Sequence, residues 1–397
     1  MKKFKNPAIV LGGGNTTGLG AIRSLGRAGI EVYYIGEDKE IAVYSKYCRK
    51  YFIFPRISHD KEELKRILLK LQNQIDDAAV LFPASDSYAL NISDLIDELS
   101  GFYLPAPRKE VIEILINKRR FYQSLMKEKI PHPTTYFSED LEDVRKISGQ
   151  VSYPIFIKPS MSHSFAKRFH RKGFVANSET ELLDHWRLMK KADVDVMIQE
   201  VVPGPATNHV FLDGYSDGHL NPKALFARRR LRMWPLAFGN SSLCISIPVS
   251  EIASLKKRLF RYLKSINYHG IFSAEFKKDQ RDGVFKLLEI NSRTSAWFNT
   301  LSAKCGVDLM LVAYLDAISE HTKYSEDYEV GVKWIFLNAD LRAAMKMFFS
   351  GDMTLREWIA SLLGKKDYLS YAGDDLGPSV MSLPYTIFEM MHIIWPS

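Results

Sequence analysis

The stretch IFSAEFKKDQRDGVFKLLEINSR, residues 271–293, predicts two neighbouring strands joined by a turn at QRDG. Glu275 lies in the first strand and Glu289 in the second, with Asn291 two residues further on. Because side chains alternate between the faces of a strand, Glu289, Asn291 and Arg293 are expected on one face. Two carboxylates and an amide oxygen suit Mg²⁺, which takes few protein ligands and keeps phosphate oxygens in its shell. A solvated acidic edge is the alternative, but the apolar run FKLLEI favours a metal site.

Two lysines upstream of this stretch are further candidates for binding a ligand. Lys158 lies within the apolar strand PIFIKP, where a charged group needs a partner or a ligand. Lys118 begins a helix that stops at the prolines of IPHPTT. Either lysine alone would be an ordinary structural or solvated residue. Together with the downstream carboxylates, amide and guanidinium, the two lysines become informative.

The first hundred residues alternate short apolar strands with amphipathic helices, which predicts a parallel α/β sheet. IVLGGGNTTGLGAIRSLGRAGIEVYYIG (9–36) predicts a strand, a glycine-rich turn, a helix and a second strand. The glycine spacing misses the dinucleotide fingerprint G-x-G-x-x-G by one position. The turn still offers backbone N–H groups at a helix N-terminus, a ready anion site. Glu37 and Asp38 end the second strand, so a nicotinamide-dependent oxidoreductase stays open as an alternative.

Length and composition fit a protein of two or three domains. The chain has 397 residues, 46% hydrophobic and 25% charged, with a formal net charge of +8. Its basic residues concentrate in KRFHRK (167–172) and RRRLR (228–232), which suit a phosphorylated small molecule at least as well as nucleic acid, and we expect no nucleic-acid partner. Three distant cysteines without CxxC spacing are typical of reduced thiols in a cytoplasmic protein. We expect neither a transmembrane segment nor a signal peptide, because the apolar runs are too short.

The order of several motifs resembles the ATP-grasp superfamily. The matching pieces are IPHPTT after the Lys118 helix, YPIFIKPS, MIQEVVPG, IFSAEF and LLEINSR, and GVDLMLVAYLDA is similar to the helix that follows in the family. Within the superfamily, the chain looks like the carboxylate–amine ligases related to D-aspartate ligase and the pyrrolysine-pathway ligase. The resemblance covers roughly residues 7–320.

The resemblance implies an α/β ATP-grasp fold with an N-terminal Rossmann-like (pre-ATP-grasp) domain and a C-terminal appendage. The implied boundaries are 1–115 for the Rossmann-like domain, 116–198 for the small (lid) subdomain, 199–320 for the large subdomain with the metal site, and 321–397 for the appendage.

The resemblance also implies a role for each matching residue. Lys118 and Lys158 match the lysines that hold the α- and β-phosphates of ATP, and Arg293 matches the arginine that faces the γ-phosphate and the acyl phosphate. One of the arginines 228–230 is expected as a second phosphate contact, and Arg229 is chosen on register. The cofactors are ATP and Mg²⁺, with Mn²⁺ as an alternative. The remaining matches are the ATP contacts Ser160, Glu200, Val201, Val202 and Asn208 and the metal ligands Glu275, Glu289 and Asn291.

With ATP assigned to residues 118–293, the anion at the glycine-rich turn is better interpreted as the carboxylate substrate. Gly13, Gly14 and Asn15 are the candidates for that contact. Asp86, at the end of the strand AAVLFPA, is the candidate for contacting the amine or another ligand of the N-terminal domain.

Two segments depart from the family pattern. The loop SMSHSFAKRFHRKG (160–173) stands where the family has a glycine-rich lid over the phosphates, and Ser292 replaces the commoner proline of the last motif.

AMKM (344–347) resembles the surroundings of biotinylated lysines, but DLRAAMKMFF predicts a core-facing helix rather than a hairpin tip.

The implied activity is ATP-dependent amide formation between a carboxylate and an amine through an acyl phosphate, on an amino acid or a derivative of one. A non-catalytic ATP-binding module is an alternative beside the oxidoreductase. We expect small-molecule substrates. A homodimer and a peripheral membrane contact of the C-terminal YTIFEMMHIIWPS (385–397) stay open.

Overall fold

The computed structural model describes residues 4–13, 16–161, 165, 168–169 and 171–383, with the backbone alone at 296–298. The chain divides into two compact units. The first comprises residues 1–112, 210–274 and 290–397, and the second comprises residues 113–209 and 275–289.

The N-terminal part of the first unit contains a parallel sheet with the strand order β3-β2-β1-β4-β5, as the strand–helix alternation predicted. The order reverses between β1 and β4, the position where sheets of this kind bind ligands at the carboxyl ends of their strands. The elements are β1 (Ala8–Leu11), α1 (Thr17–Arg27), β2 (Val32–Gly36), β3 (Cys48–Ile53), α2 (Lys61–Gln72), β4 (Ala79–Pro83), α3 (Asp86–Leu95), β5 (Phe102–Tyr103) and α4 (Lys109–Ile116).

Local sequence explains these elements. All four residues of β1 are buried, as expected for a strand covered on both faces. Helix α2 begins after Asp60, whose side chain accepts a hydrogen bond from the N–H of Glu63. Its predicted apolar face is buried, comprising Leu64, Ile67, Leu68 and Leu71.

The second unit contains an antiparallel sheet with the strand order β6-β9-β7-β8. Inward-facing residues such as Ile157 and Ile198 pack with Trp186 in its core. The elements are α5 (Lys118–Lys127), β6 (Thr135–Phe137), α6 (Leu141–Ser148), β7 (Ile155–Pro159), β8 (Phe174–Ala176), α7 (Glu179–Lys191) and β9 (Val196–Glu200).

A larger sheet has the order β14-β13-β10-β11-β12-β15-β16, in which β13 and β14 are the neighbouring strands predicted around the QRDG turn. By the division above, residues 275–289 around that turn belong to the second unit. The elements are β10 (His209–Ser216), β11 (Pro222–Trp234), β12 (Asn240–Ile247), α8 (Ala253–Ser265), β13 (Gly270–Lys278), β14 (Phe285–Asn291), α9 (Ala296–Cys305), α10 (Leu309–Ala317), β15 (Lys333–Ile335), α11 (Leu337–Ser350), α12 (Leu355–Ser361) and β16 (Lys366–Tyr368).

Two buried ion pairs tie the C-terminal residues into the first unit. Arg23 of α1 lies 2.9 Å from the carboxylate of Asp375, and Arg232 of β11 lies 2.8 Å from that of Asp340 in α11. The AMKM segment lies within α11 with Ala344 buried, as predicted for a core-facing helix. Residues 385–397 lie outside the described part of the chain. Within the described residues, no helix combines the length and the apolar character needed to cross a membrane.

Candidate functional site

The two predicted phosphate-binding lysines lie together in the second unit. The N–H of Lys118, at the start of α5, donates to the carbonyl oxygen of Ser160, which follows β7, at 2.9 Å. The ammonium of Lys118 lies 4.0 Å from the carboxylate of Glu289 on β14. Lys158 of β7 also lies here. We call Lys118, Tyr122, Lys158 and Glu289 the lysine site.

Lys158 is held without a carboxylate partner among the residues that the structure describes. Its ammonium lies 3.5 Å from the hydroxyl of Tyr122 and 5.1 Å from the centre of that ring. Burial, followed by the charge of Lys118, lowers the pKa of Lys158 well below its ordinary value, and Glu289 opposes this shift in part. The lysine site therefore concentrates positive charge that a bound anion would stabilise.

Tyr122 is not among the residues predicted from the sequence. This residue lies four positions after Lys118 in α5, the spacing that brings two side chains to one helix face, and that spacing could have identified it. Its hydroxyl donates to the carbonyl oxygen of Leu288 at 2.8 Å. Tyr122 therefore contacts both Lys158 and the strand that carries Glu289.

A second cluster surrounds Glu200 at the end of β9; we call Glu200, Asp279, Arg281 and Lys286 the hinge cluster. Glu200 accepts hydrogen bonds from Lys286 at 2.7 Å, from Arg281 at 2.7 Å and from the N–H of Thr134 at 2.8 Å. Burial alone would raise the pKa of Glu200, but these hydrogen bonds outweigh it and lower the pKa to about 2. The carboxylate that the sequence suggested for the adenine amino group is thus already engaged within the protein.

The other predicted nucleotide contacts are distributed around these two clusters. The hydroxyl of buried Ser160 donates to Asp195 at 2.5 Å, and the amide of Asn208 donates to the carbonyl oxygen of Lys278 at 3.0 Å. Val201 and Val202 follow β9 and belong to no helix or strand, and Val202 is buried. The main-chain groups after β9 are therefore the remaining candidates for hydrogen bonds to an adenine ring.

The predicted metal ligands lie on β13 and β14. Nδ1 of His209 lies 2.6 Å from Oε1 of Glu275, and both side chains are largely buried. Since an ionised carboxylate only accepts, His209 donates in this contact. Asn291 follows Glu289 by two residues on β14. Among the described residues no three His, Cys, Asp or Glu side chains group as a metal site, so a bound ion would also need Asn291 and ligand oxygens.

In the first unit, two residues that the sequence assigned separately form an ion pair. Nε of Arg293 lies 2.5 Å from the carboxylate of Asp86, which begins α3. The next residue, Thr294, donates its N–H to the carbonyl oxygen of Pro83 at the end of β4. Arg293 is therefore fixed at the carboxyl end of β4, next to the reversal of strand order.

The glycine-rich turn follows β1, the neighbour of β4. Gly13 has φ of +129°, and a Cβ there would lie 2.6 Å from the backbone nitrogen of Gly18, so the turn needs glycine. Gly14 and Asn15 lie outside the described residues. Glu37, which a nicotinamide cofactor would need for its ribose, accepts hydrogen bonds from the N–H and hydroxyl of Ser58. That engagement gives the oxidoreductase alternative no support.

The arginines 228–230 lie on β11 and alternate in direction. Arg228 is buried, 2.7 Å from Asp213 and stacked 3.8 Å from the centre of the Phe211 ring. Arg230 is also buried and donates to Ser241, whereas Arg229 pairs with Glu251. Arg229 therefore faces away from its two neighbours.

Comparisons with known proteins agree with this architecture. No family model matches the chain. D-aspartate ligase of Enterococcus faecium (strain Aus0004) is 24% identical over 267 residues, which are 63% of this chain and 62% of that protein, so the chain spans less than two thirds of this relative.

Two solved structures show the same fold. The biotin carboxylase domain of the Hydrogenobacter thermophilus 2-oxoglutarate carboxylase, in complex with MgADP, ADP and bicarbonate, has a TM-score of 0.66 at 18% identity, covering 84% of this chain and 74% of that one. L-amino acid ligase from Bacillus licheniformis has a TM-score of 0.60 at 14% identity, covering 81% and 76%.

These similarities agree with the predicted resemblance to the ATP-grasp superfamily. The similarity to D-aspartate ligase agrees with the predicted resemblance to carboxylate–amine ligases.

Proposed function

We propose that this chain joins a carboxylate to an amine at the expense of ATP, through an acyl phosphate, with release of ADP and phosphate. The observation that carries the proposal is the lysine site. Two lysines and Glu289 converge there, and Lys158 has no carboxylate partner among the described residues. A cationic site of this kind suits the phosphates of a nucleotide.

ATP would lie along the second unit. Lys118 and Lys158 would hold the α- and β-phosphates, with Ser160 beside them. Main-chain groups of Glu200, Val201 and Val202 would read the adenine edge. Asn208 is the candidate for the ribose. Holding phosphates by fixed positive charge is the main task in phosphoryl transfer, because its transition state involves little covalent chemistry for the protein.

The donor set of Glu275, Glu289 and Asn291 fits Mg²⁺, and Mn²⁺ is the alternative ion. Carboxylate and amide oxygens are the donors that Mg²⁺ prefers, and too few of them are present to complete its shell without phosphate oxygens and water. When bound, the ion would neutralise charge on the β- and γ-phosphates. His209 would orient the Glu275 carboxylate through its contact with Oε1.

The reacting carboxylate would lie near the reversal of strand order in the first unit. Backbone N–H groups at Gly13, Gly14 and Asn15 would bind it at the N-terminus of α1. Arg293 would face the acyl phosphate and stabilise the oxyanion that forms when the amine attacks. Asp86 would hold the amine, and Arg229 is the proposed second phosphate contact. An acyl phosphate hydrolyses in water, so the loop at 160–172 is proposed as the closing lid.

The proposed substrates are an amino acid, or a derivative of one, and a second small molecule. An α-carboxylate and an ammonium would be complementary to the turn and to Asp86. The names of two similar proteins, D-aspartate ligase and L-amino acid ligase, support this class. A homodimer and a membrane contact of residues 385–397 stay predictions.

The decisive experiment measures phosphate release from ATP over a panel of carboxylates crossed with amines. We expect release that requires both partners and falls at least about 100-fold in Glu289→Gln. Glu139→Gln is the matched control, because Glu139 is an exposed glutamate of the same unit. ATP binding without release for any pair would favour the non-catalytic module. Full activity of Glu289→Gln would contradict the metal assignment.

A further inference from the structure

Tyr122 is a buried residue to which the proposed mechanism gives no role. Only 1% of its surface is exposed, and it lies one helical turn beyond Lys118 on α5. Its hydroxyl donates to the carbonyl oxygen of Leu288 at 2.8 Å and lies 3.5 Å from Oε1 of Gln199. A phenol has one proton, and the short contact to Leu288 uses it.

The remaining lone pairs of the Tyr122 oxygen are available to Lys158. The Lys158 ammonium approaches that oxygen at 3.5 Å and the ring centre at 5.1 Å, so both the hydroxyl dipole and the ring face attract it. One side chain therefore connects β7, which carries Lys158, with β14 at the residue before Glu289.

Because Tyr122 is neutral, its effect on the charge of Lys158 differs from that of a carboxylate. A carboxylate beside Lys158 would hold the ammonium but cancel its charge, as happens for Lys286 in the hinge cluster. Tyr122 contacts the ammonium through its hydroxyl oxygen and its ring face, and so brings no negative charge that would compete with an anionic ligand.

We propose that Tyr122 is a positioning residue that aims the charge of Lys158 at a nucleotide phosphate and links it to the strand of Glu289. The proposal rests on the proposed function, because it takes Lys158 as a phosphate contact.

The test compares Tyr122→Phe with the unaltered protein in calorimetric titrations with MgADP and with adenosine, which lacks phosphates. Tyr268→Phe is the matched control. Tyr268 is equally buried, and its hydroxyl also donates to a backbone carbonyl, that of Ile271, but it lies in the first unit. We expect Tyr122→Phe to weaken MgADP about fivefold and to leave adenosine unchanged, while Tyr268→Phe alters neither ligand.

Equal weakening of both ligands by Tyr122→Phe would overturn the proposal, since that pattern reports a distorted pocket. Unchanged MgADP affinity would overturn it as well. A failure of the proposed function looks different, because the unaltered protein would then bind MgADP no more tightly than adenosine. Tyr122→Leu, which also removes the ring, should weaken MgADP further than Tyr122→Phe and still spare adenosine.

Discussion

Lys158 and Lys286 are two lysines of the same unit in opposite surroundings. Lys286 lies 2.7 Å from Glu200 and 2.8 Å from Asp279. Burial alone would lower the pKa of Lys286, but the hydrogen bonds that it donates to these carboxylates raise that pKa above the ordinary value. Lys158 has Tyr122 as its partner, and burial lowers its pKa. The charge of Lys286 is neutralised within the protein, whereas the charge of Lys158 is not.

The difference distinguishes a lysine that is paired within the protein from one that is proposed to hold a phosphate. A buried charge is costly unless it is paired, so an unpaired one survives where a ligand completes the pairing. The hinge cluster is complete without a ligand, and it ties the end of β9 to β14. In the proposed function, a bound anion completes the lysine site. Substitutions at the two lysines should therefore have opposite effects on activity and stability.

The largest effect is expected at Lys158. Lys158→Met should lower kcat/KM for ATP about 10²- to 10³-fold, because it removes a charge that stabilises the transferring phosphates. Its melting temperature should stay the same or rise, since an unpaired buried charge is lost. Phosphate release and thermal unfolding measure the two quantities. A large fall in melting temperature would mean that Lys158 has a structural role.

Lys286→Met should show the reverse pattern. It leaves Asp279 buried and Glu200 without one of its donors, and we expect the free energy of unfolding to fall by about 3 kcal/mol, with Arg281 retaining part of the network. MgADP affinity of the folded protein should change far less than in Lys158→Met. Urea denaturation followed by circular dichroism measures the free energy of unfolding. Calorimetric titration under conditions where the protein is folded measures the MgADP affinity. Equal free energies of unfolding for Lys286→Met and Lys158→Met would contradict the proposed difference between the two lysines.

The smallest effect concerns pH and Glu200. Its pKa falls from 4.5 to about 2 on folding, so the ionised side chain stabilises the native state above pH 4.5, and this contribution is lost as the pH falls through about 2. Glu200→Gln should therefore unfold about 2 kcal/mol more easily at pH 7, with screening by solvent included, and the difference should shrink between pH 4.5 and 2.

Urea denaturation at pH 7 and at pH 3 measures this difference, with exposed Glu139→Gln as the control. A gap between Glu200→Gln and the unaltered protein that is the same at both pH values would show that ionisation of Glu200 is not its source.

The sequence alone predicted the fold class and pointed to Lys118, Lys158 and Glu289 of the lysine site, but not to Tyr122. Strand alternation is local, so the common face of Glu289 and Asn291 follows from their spacing of two residues on β14, whereas the expected place of Arg293 on that face is not given by the strand, which ends at Asn291. The parallel sheet follows from alternating strands and helices, and the helix around AMKM follows from its apolar face. These inferences need no knowledge of which distant residues meet.

Only the tertiary structure decided which charges are neutralised. Lys286 meets Glu200 across 86 positions and Arg293 meets Asp86 across 207, and no sequence period encodes such pairs. The same holds for Tyr122 beside Lys158, His209 beside Glu275 and Arg23 beside Asp375. The sequence therefore determined which residue types are available for phosphate and metal. Packing determined which of them keep a charge for the ligand, because a neighbouring carboxylate cancels that charge and a neighbouring phenol does not.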